Sequence, residues 1–251
     1  MYSSPASTWV LWGFPLMATG LVLLVALGHL LAAATLGVER RLAHRRTLAF
    51  LGLAVGWQVA ISALAMTGVL ANFDARPPPV LLLPLGIAAS AQVLARSSFG
   101  TTLTNGLSIA VLVGFQAFRL PLELLMHEAA AEGVMPTQMT FTGWNFDIVT
   151  GASAVVVAVL LSFGVGGRRL VLAWNALGTA LLVVIVVVAV ASTPVFSAFG
   201  DGPALNTFIA YLPFTTLPTV MVLLAMAGHV MLWRRLWSEG ASSANALPSP
   251  S

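Results

Sequence analysis

The chain has 251 residues, of which 59% are hydrophobic and 8% charged, and its mean hydropathy is +0.96. Soluble domains carry about 25% charged residues, so this composition excludes a soluble globular protein and predicts an all-α polytopic membrane protein. The formal charge of +3 comes from arginines at the borders of apolar runs, which argues against a nucleic-acid partner and for anionic lipid headgroups.

Cysteine and lysine are both absent. The first absence excludes disulfides, thiolate metal sites and cysteine nucleophiles. The second excludes a retinal Schiff base, so seven helices here do not make a working rhodopsin. Arginine without lysine, alongside abundant Ala, Gly and Val, fits a GC-rich bacterial genome, and the expected location is the bacterial inner (plasma) membrane.

Taking about 20 apolar residues per crossing, the sequence predicts seven transmembrane helices at about 8–37, 47–72, 78–96, 103–130, 147–165, 169–193 and 208–236. They would form a single seven-helix bundle domain over 1–238, followed by a disordered cytoplasmic tail over 239–251. The first apolar run is longer than the apolar region of a signal peptide and reads as a retained helix. Arg40, Arg41, Arg45, Arg46, Arg96, Arg168, Arg169, Arg234 and Arg235 all fall on one side of a seven-span arrangement. By the positive-inside rule that side is cytoplasmic, which places the N-terminus outside and the C-terminus inside.

The first inner connection, Glu39 to Arg46, reads as a loop that anchors the topology and contacts anionic headgroups through Arg40, Arg41, Arg45 and Arg46. In the second span, Gly52 and Gly56 have the spacing that lets another helix approach closely. Arg96-Ser-Ser-Phe-Gly reads as a short inner turn. The sixth span, with Val183 to Val188, is apolar on every face and reads as lipid-facing wall. Trp9, Trp12 and Trp144 mark one membrane border, and Trp233 and Trp237 the other.

The fourth span departs from this pattern. At 100° per residue, Gln116, Arg119, Glu123 and His127 fall within a sector of about 80°, extended by Asn105 and Ser108. An arginine at mid-membrane costs about 2.5–3.5 kcal/mol on insertion scales, and such residues face a bundle interior or a cavity. The stripe is therefore expected to point inward, in the outer half of the bilayer, with Arg119 paired to Glu123 and Glu123 to His127 at i,i+4. Pro121 removes one backbone hydrogen bond beside it and leaves the carbonyl of Ala117 in need of a partner.

Two other segments converge on the same depth. Asn145 and Asp147 stand at the start of the fifth span, where Asx residues cap helices and an acidic group favours the helix start. Tyr211 and Thr215 stand in the opening of the seventh span, which Pro213 and Pro218 interrupt, and Pro-broken spans are typical of sites in transporters.

Three functions are open on these residues. The first is an inner-membrane small-molecule or ion binding or transport protein, its outward-side polar pocket built from Arg119, Glu123, His127, Gln116, Asn145, Asp147, Tyr211 and Thr215. The second is a membrane-embedded metal-dependent enzyme with a divalent metal on Glu123, His127 and Asp147; catalytic zinc needs three protein ligands and an open position. The third is a non-catalytic accessory subunit, with a membrane-protein partner or a second copy of the chain, in which the charges only fix helix packing.

A further pattern, VLLxxxGH, places His29 in the first span and His229 in the seventh. Paired histidines on facing helices hold haem b. Their depths differ by about 9 Å relative to the inner arginines, which argues for separate hydrogen-bonding roles.

Overall fold

A computed structural model describes residues 6–245. Among these residues the chain forms nine α-helices, short 3-10 turns and one π-helical segment, with no strand. The α-helices are α1 (Thr8–Thr35), α2 (Arg40–Met66), α3 (Leu82–Arg96), α4 (Ser98–Gly106), α5 (Ile109–Phe115), α6 (Arg119–Ala131), α7 (Asp147–Ser162), α8 (Arg168–Ala191) and α9 (Leu223–Asn245).

Six segments are long and apolar enough to cross a membrane: Thr8–Thr35, Arg40–Met66, Pro79–Arg96, Ile109–Ala131, Arg168–Ala191 and Leu217–Glu239. The protein is a helical multi-pass membrane protein. Helix α7, expected as the fifth span, is apolar but shorter, with 16 residues. That is about 24 Å at 1.5 Å per residue, against a hydrocarbon core of about 30 Å.

Helix α9 is the centre of the assembly, packing on α3, α4, α5 and α8. Of the six long segments, the one containing it is the most buried, at 61%, and α2 is the least, at 11%. The largest apolar core joins α1, α6, α9 and the segment leading into α9 through Phe14, Leu125, Met126, Phe214, Met221 and Leu224. Phe14 meets Phe214 edge-on, ring centroids 5.5 Å apart. Helix α2 lies against α1 at the periphery, and Gly52 and Gly56 face open space. The close approach expected at that pair is made by no other helix of the chain.

Several boundaries differ from the sequence reading for identifiable reasons. Arg40 to Arg46, expected as a loop, form the first turns of α2. The expected inner turn after Arg96 is instead α4, capped where the Ser97 hydroxyl accepts from the Gly100 N–H at 3.0 Å. The fourth span then begins at Ile109, because Ser108 starts a new helix by accepting from the Val111 N–H at 3.3 Å. Asn105 therefore belongs to α4 and Ser108 is a cap, so neither extends the polar stripe.

The fourth span is also interrupted at Gln116–Phe118, a 3-10 turn in which the Arg119 N–H donates to the Gln116 carbonyl. Pro121 has no N–H to offer Ala117, and the chain tightens at that point. The segment expected as the seventh span begins with a turn and then a π-helix, Leu217–Val222, containing Pro218. Residues 239–245 of the expected tail continue α9, while 246–251 lie outside the described residues.

Midway along α9, the side chains of Arg234 and Arg235 hold the ends of other helices. Arg234 donates to the Ala95 carbonyl, and Arg235 to the carbonyls of Thr104 and Asn105 at 3.3 and 3.2 Å. These are last-turn carbonyls of α3 and α4, which lack partners within their own helices. The tryptophans expected at membrane borders are largely outward-facing: Trp9, Trp12, Trp144 and Trp237 are all exposed.

Candidate functional site: a buried charge network beside an apolar cavity

Helices α6 and α7 meet almost backbone to backbone. A Cβ at Gly151 would come within 2.4 Å of the Leu120 amide nitrogen, so only glycine permits the contact. Asp147 lies one turn before Gly151 on the same face. The close approach thereby brings its carboxylate to Arg119, with Arg119 Nη1 to Asp147 Oδ1 at 3.4 Å. Both residues are buried, Arg119 at 1% exposure and Asp147 at 6%.

The same guanidinium nitrogen reaches α9, 3.2 Å from His229 Nε2. The opposite ring nitrogen, Nδ1, is 2.7 Å from Asn175 Oδ1, while Asn175 Nδ2 donates to the His229 carbonyl at 3.3 Å. This reciprocal pair places the ring proton on Nδ1, so Nε2 accepts from Arg119. Gly178, three residues beyond Asn175 on α8, makes room for the imidazole: a Cβ there would lie 2.7 Å from His229 Cε1. Arg119 is thus tied to α7 and α9, and through His229 to α8.

Glu123 points elsewhere. Its Oε1 accepts from Asn145 Nδ2 at 2.7 Å, and Asn145 Nδ2 also donates to the Met139 carbonyl at 3.0 Å. Asn145 Oδ1 accepts from the Asp147 N–H at 3.0 Å, which makes Asn145 both a brace for Glu123 and a cap at the start of α7. Gln116 Nε2 donates to the Ala225 carbonyl of α9 at 3.1 Å. Glu123 Oε2, Arg119 Nη2, Asp147 Oδ1, Gln116 Oε1 and Thr150 Oγ1 are buried with no hydrogen-bond partner. An unsatisfied buried polar group costs about 1–3 kcal/mol; of these five atoms, Asp147 Oδ1 still has Arg119 Nη1 as an ion-pair partner at 3.4 Å.

Beside this network lies a cavity of about 90 Å³, room for several water-sized groups. Helices α3 and α8 each pack along α9 with little direct contact between them, and the cavity occupies that gap. Its walls are apolar, including Leu83 and Ile87 of α3, Leu182 and Ile185 of α8, and Leu217 and Pro218 of the π-helix. The polar side chains lining it are Glu123, Asn145, Asp147 and Thr193; Arg119 does not line it. The half-buried Pro84, Val186 and Val190 form its rim beside the outward-facing Leu85, Val183 and Val187. The π-helical wall is braced from α2, where Trp57 Nε1 donates to the Thr219 carbonyl at 3.0 Å and Gln58 Oε1 accepts from the Thr219 hydroxyl at 3.1 Å.

Of the eight ligand-site residues expected from sequence, Arg119, Glu123, Gln116, Asn145 and Asp147 come together, while His127, Tyr211 and Thr215 stand apart. The expected i,i+4 pairs do not form: Arg119 turns to Asp147 and His229, and Glu123 turns to Asn145. The His127 ring packs on Phe141, centroids 4.7 Å apart. Tyr211 is exposed and Thr215 is buried in the turn before the π-helix, and neither lines the cavity. With His127 turned to Phe141, Glu123, His127 and Asp147 do not assemble as a metal set, and no group of three such side chains does so among the described residues.

The two histidines considered for haem have separate surroundings. Both ring nitrogens of His229 are engaged by Arg119 and Asn175. His29 Nδ1 is 2.9 Å from the Thr47 hydroxyl, and its ring stacks on Phe99, 4.1 Å between centroids.

Asn175 in α8 and Thr193 just beyond its end were missed in the sequence because the sixth span reads as apolar wall. The signal was present: Val171, Trp174, Asn175, Gly178, Leu182 and Ile185 follow helical spacing, and all are buried. His229 was singled out for another role, and a lone sequence cannot pair it with an arginine 110 positions away. The chain matches no family model, and no curated protein or solved structure is similar to it.

Removing Arg119 while leaving its partners buried is expected to destabilise the protein by about 3–5 kcal/mol. The check is detergent-induced unfolding of Arg119→Met, Asp147→Leu and the double variant. The double variant should lose less than the sum of the single losses, by roughly 0.5–3 kcal/mol; strict additivity would contradict the pairing.

Proposed function

We propose that this protein is a membrane-embedded small-molecule or ion binding and transport protein, with its site at the polar end of the cavity between α3 and α8. One observation carries the reading: an otherwise apolar cavity ends on two buried carboxylates, Glu123 and Asp147. Ligand sites are typically apolar concavities with a few converging polar groups, and ionisable residues inside membranes usually mark substrate paths or relays. The π-helix on one wall supports it, since such segments recur at functional sites.

In this reading α7 is the fifth of seven crossings, the N-terminus is outside and the site lies in the outer half of an inner-membrane bundle. The shortness of α7 sets Asp147 below the outer surface, where it meets Arg119. Arg40, Arg41, Arg45 and Arg46 at the start of α2 face anionic headgroups on the cytoplasmic side. Arg119 itself fixes helix packing rather than holding a ligand, because its guanidinium is turned away from the cavity.

Two measurements test these statements. Val186→Trp, at the cavity rim, should abolish a bound small molecule that native mass spectrometry detects on wild-type protein released from nanodiscs. The same spectrum from both proteins, or a stoichiometric protein partner in its place, would contradict a ligand site. Because the chain has no cysteine, orientation can be read from single replacements. Thr142→Cys should react with a membrane-impermeant maleimide on intact cells and Ser162→Cys only after permeabilisation, and the reverse order would overturn the orientation.

A further inference from the structure

We infer that the cavity takes an amphiphile with a hydrogen-bond-donating cationic head, a protonated lipophilic amine, which enters sideways from the bilayer between α3 and α8. The inference rests on the reading of this cavity as a ligand site and adds the chemistry of its occupant.

The argument is a count of donors and acceptors. Asn145 spends its amide hydrogens on Glu123 and the Met139 carbonyl, and its Oδ1 on the Asp147 N–H. The Thr193 hydroxyl donates to the Val190 carbonyl at 2.7 Å. The guanidinium of Arg119, the donor nearest in the network, does not line the cavity. With Glu123 and Asp147 ionised, the polar side chains facing the cavity have no donor left, while Glu123 Oε2 accepts no hydrogen bond and Asp147 Oδ1 has only the 3.4 Å ion pair with Arg119. A ligand that fits must bring its own donors.

Charge points the same way. The cluster holds two carboxylates and one guanidinium, and the hydrogen bonds of His229 are those of the neutral ring. With both carboxylates ionised, one charge is uncompensated, and Glu123 has only an amide as its partner. A single ammonium group supplies both the missing donors and the missing charge. An anion, or a head made of carbonyl acceptors alone, meets oxygen lone pairs on every polar side chain.

The route follows from the walls. The gap between α3 and α8 is rimmed by Pro84, Val186 and Val190 with exposed apolar neighbours on both sides. An alkyl body lying along Ile87, Leu182 and Ile185 stays in apolar surroundings while its head reaches Glu123.

The test uses three tritiated probes of equal chain length on the full-length protein in nanodiscs: n-decylamine, protonated at pH 7, n-decanol and decanoate, with the last two also used unlabelled as competitors of decylamine. Decylammonium should bind saturably, decanoate should not displace it, and Glu123→Gln should weaken binding at least tenfold. Val186→Trp should abolish it. Equal competition by decanol, or preferential competition by decanoate, would overturn the cationic head and leave the ligand cavity standing. No saturable binding by any of the three would overturn the cavity reading as well. The probe series on wild-type protein carries the charge test even if Glu123→Gln fails to assemble.

Discussion

A guanidinium at 1% exposure in an apolar helical bundle has to find hydrogen-bond acceptors on other helices, and much of the geometry around Arg119 follows from that need. Its own helix cannot satisfy it, since Glu123 one turn away is turned to Asn145. The acceptors come from α7, through Asp147, and from α9, through His229. Each imposes a further condition. Asp147 reaches Arg119 only because Gly151 lets two backbones touch, and His229 presents a lone pair only because Asn175 holds its proton on the far nitrogen. Buried networks of this sort add little net stability but are severe when broken, which makes this one a device for holding four helices in one arrangement.

The network has a second consequence, which concerns the carboxylates it leaves over. With Arg119 tied to α7 and α9, Glu123 is held by an amide rather than a cation and lies at the end of an apolar gap. The structural role and the proposed binding role therefore separate along one helix: residue 119 organises the bundle, and residue 123, one turn on, faces the cavity. Sequence inspection treats these as one stripe because they share a helical face. The separation comes from side-chain length and direction, which lets an arginine reach a different neighbour from the glutamate beside it.

Much of the fold was legible in the sequence because apolar run length is a strong signal in a chain with so few charges. The ends of α1, α3 and α8 lie within a few residues of expectation. The failures are local and have chemical causes: Ser97 and Ser108 capped helices within what read as a turn and a single span, and prolines reshaped the middle of the fourth span and the start of the expected seventh. At the site, the inward face of the fourth span and the convergence of Asn145 and Asp147 on it were readable from residue type and depth. The pairings were not. Asn175 stood in a valine-rich helix, His229 lay far away in sequence, and the turn of His127 onto Phe141 depended on a loop with no periodicity to read.

The central claim is that Arg119 is held by Asp147 and His229 while Glu123 and Asp147 form the acceptor-rich end of the cavity. An experimental density map of the full-length protein in lipid nanodiscs, detailed enough to place side chains, tests it most directly. The account predicts the Arg119 guanidinium within hydrogen-bonding distance of Asp147 and His229 Nε2, with Glu123 on Asn145 at the cavity wall and His127 against Phe141. A guanidinium extended into the cavity, or paired with Glu123 while His127 joins the carboxylates, would contradict it.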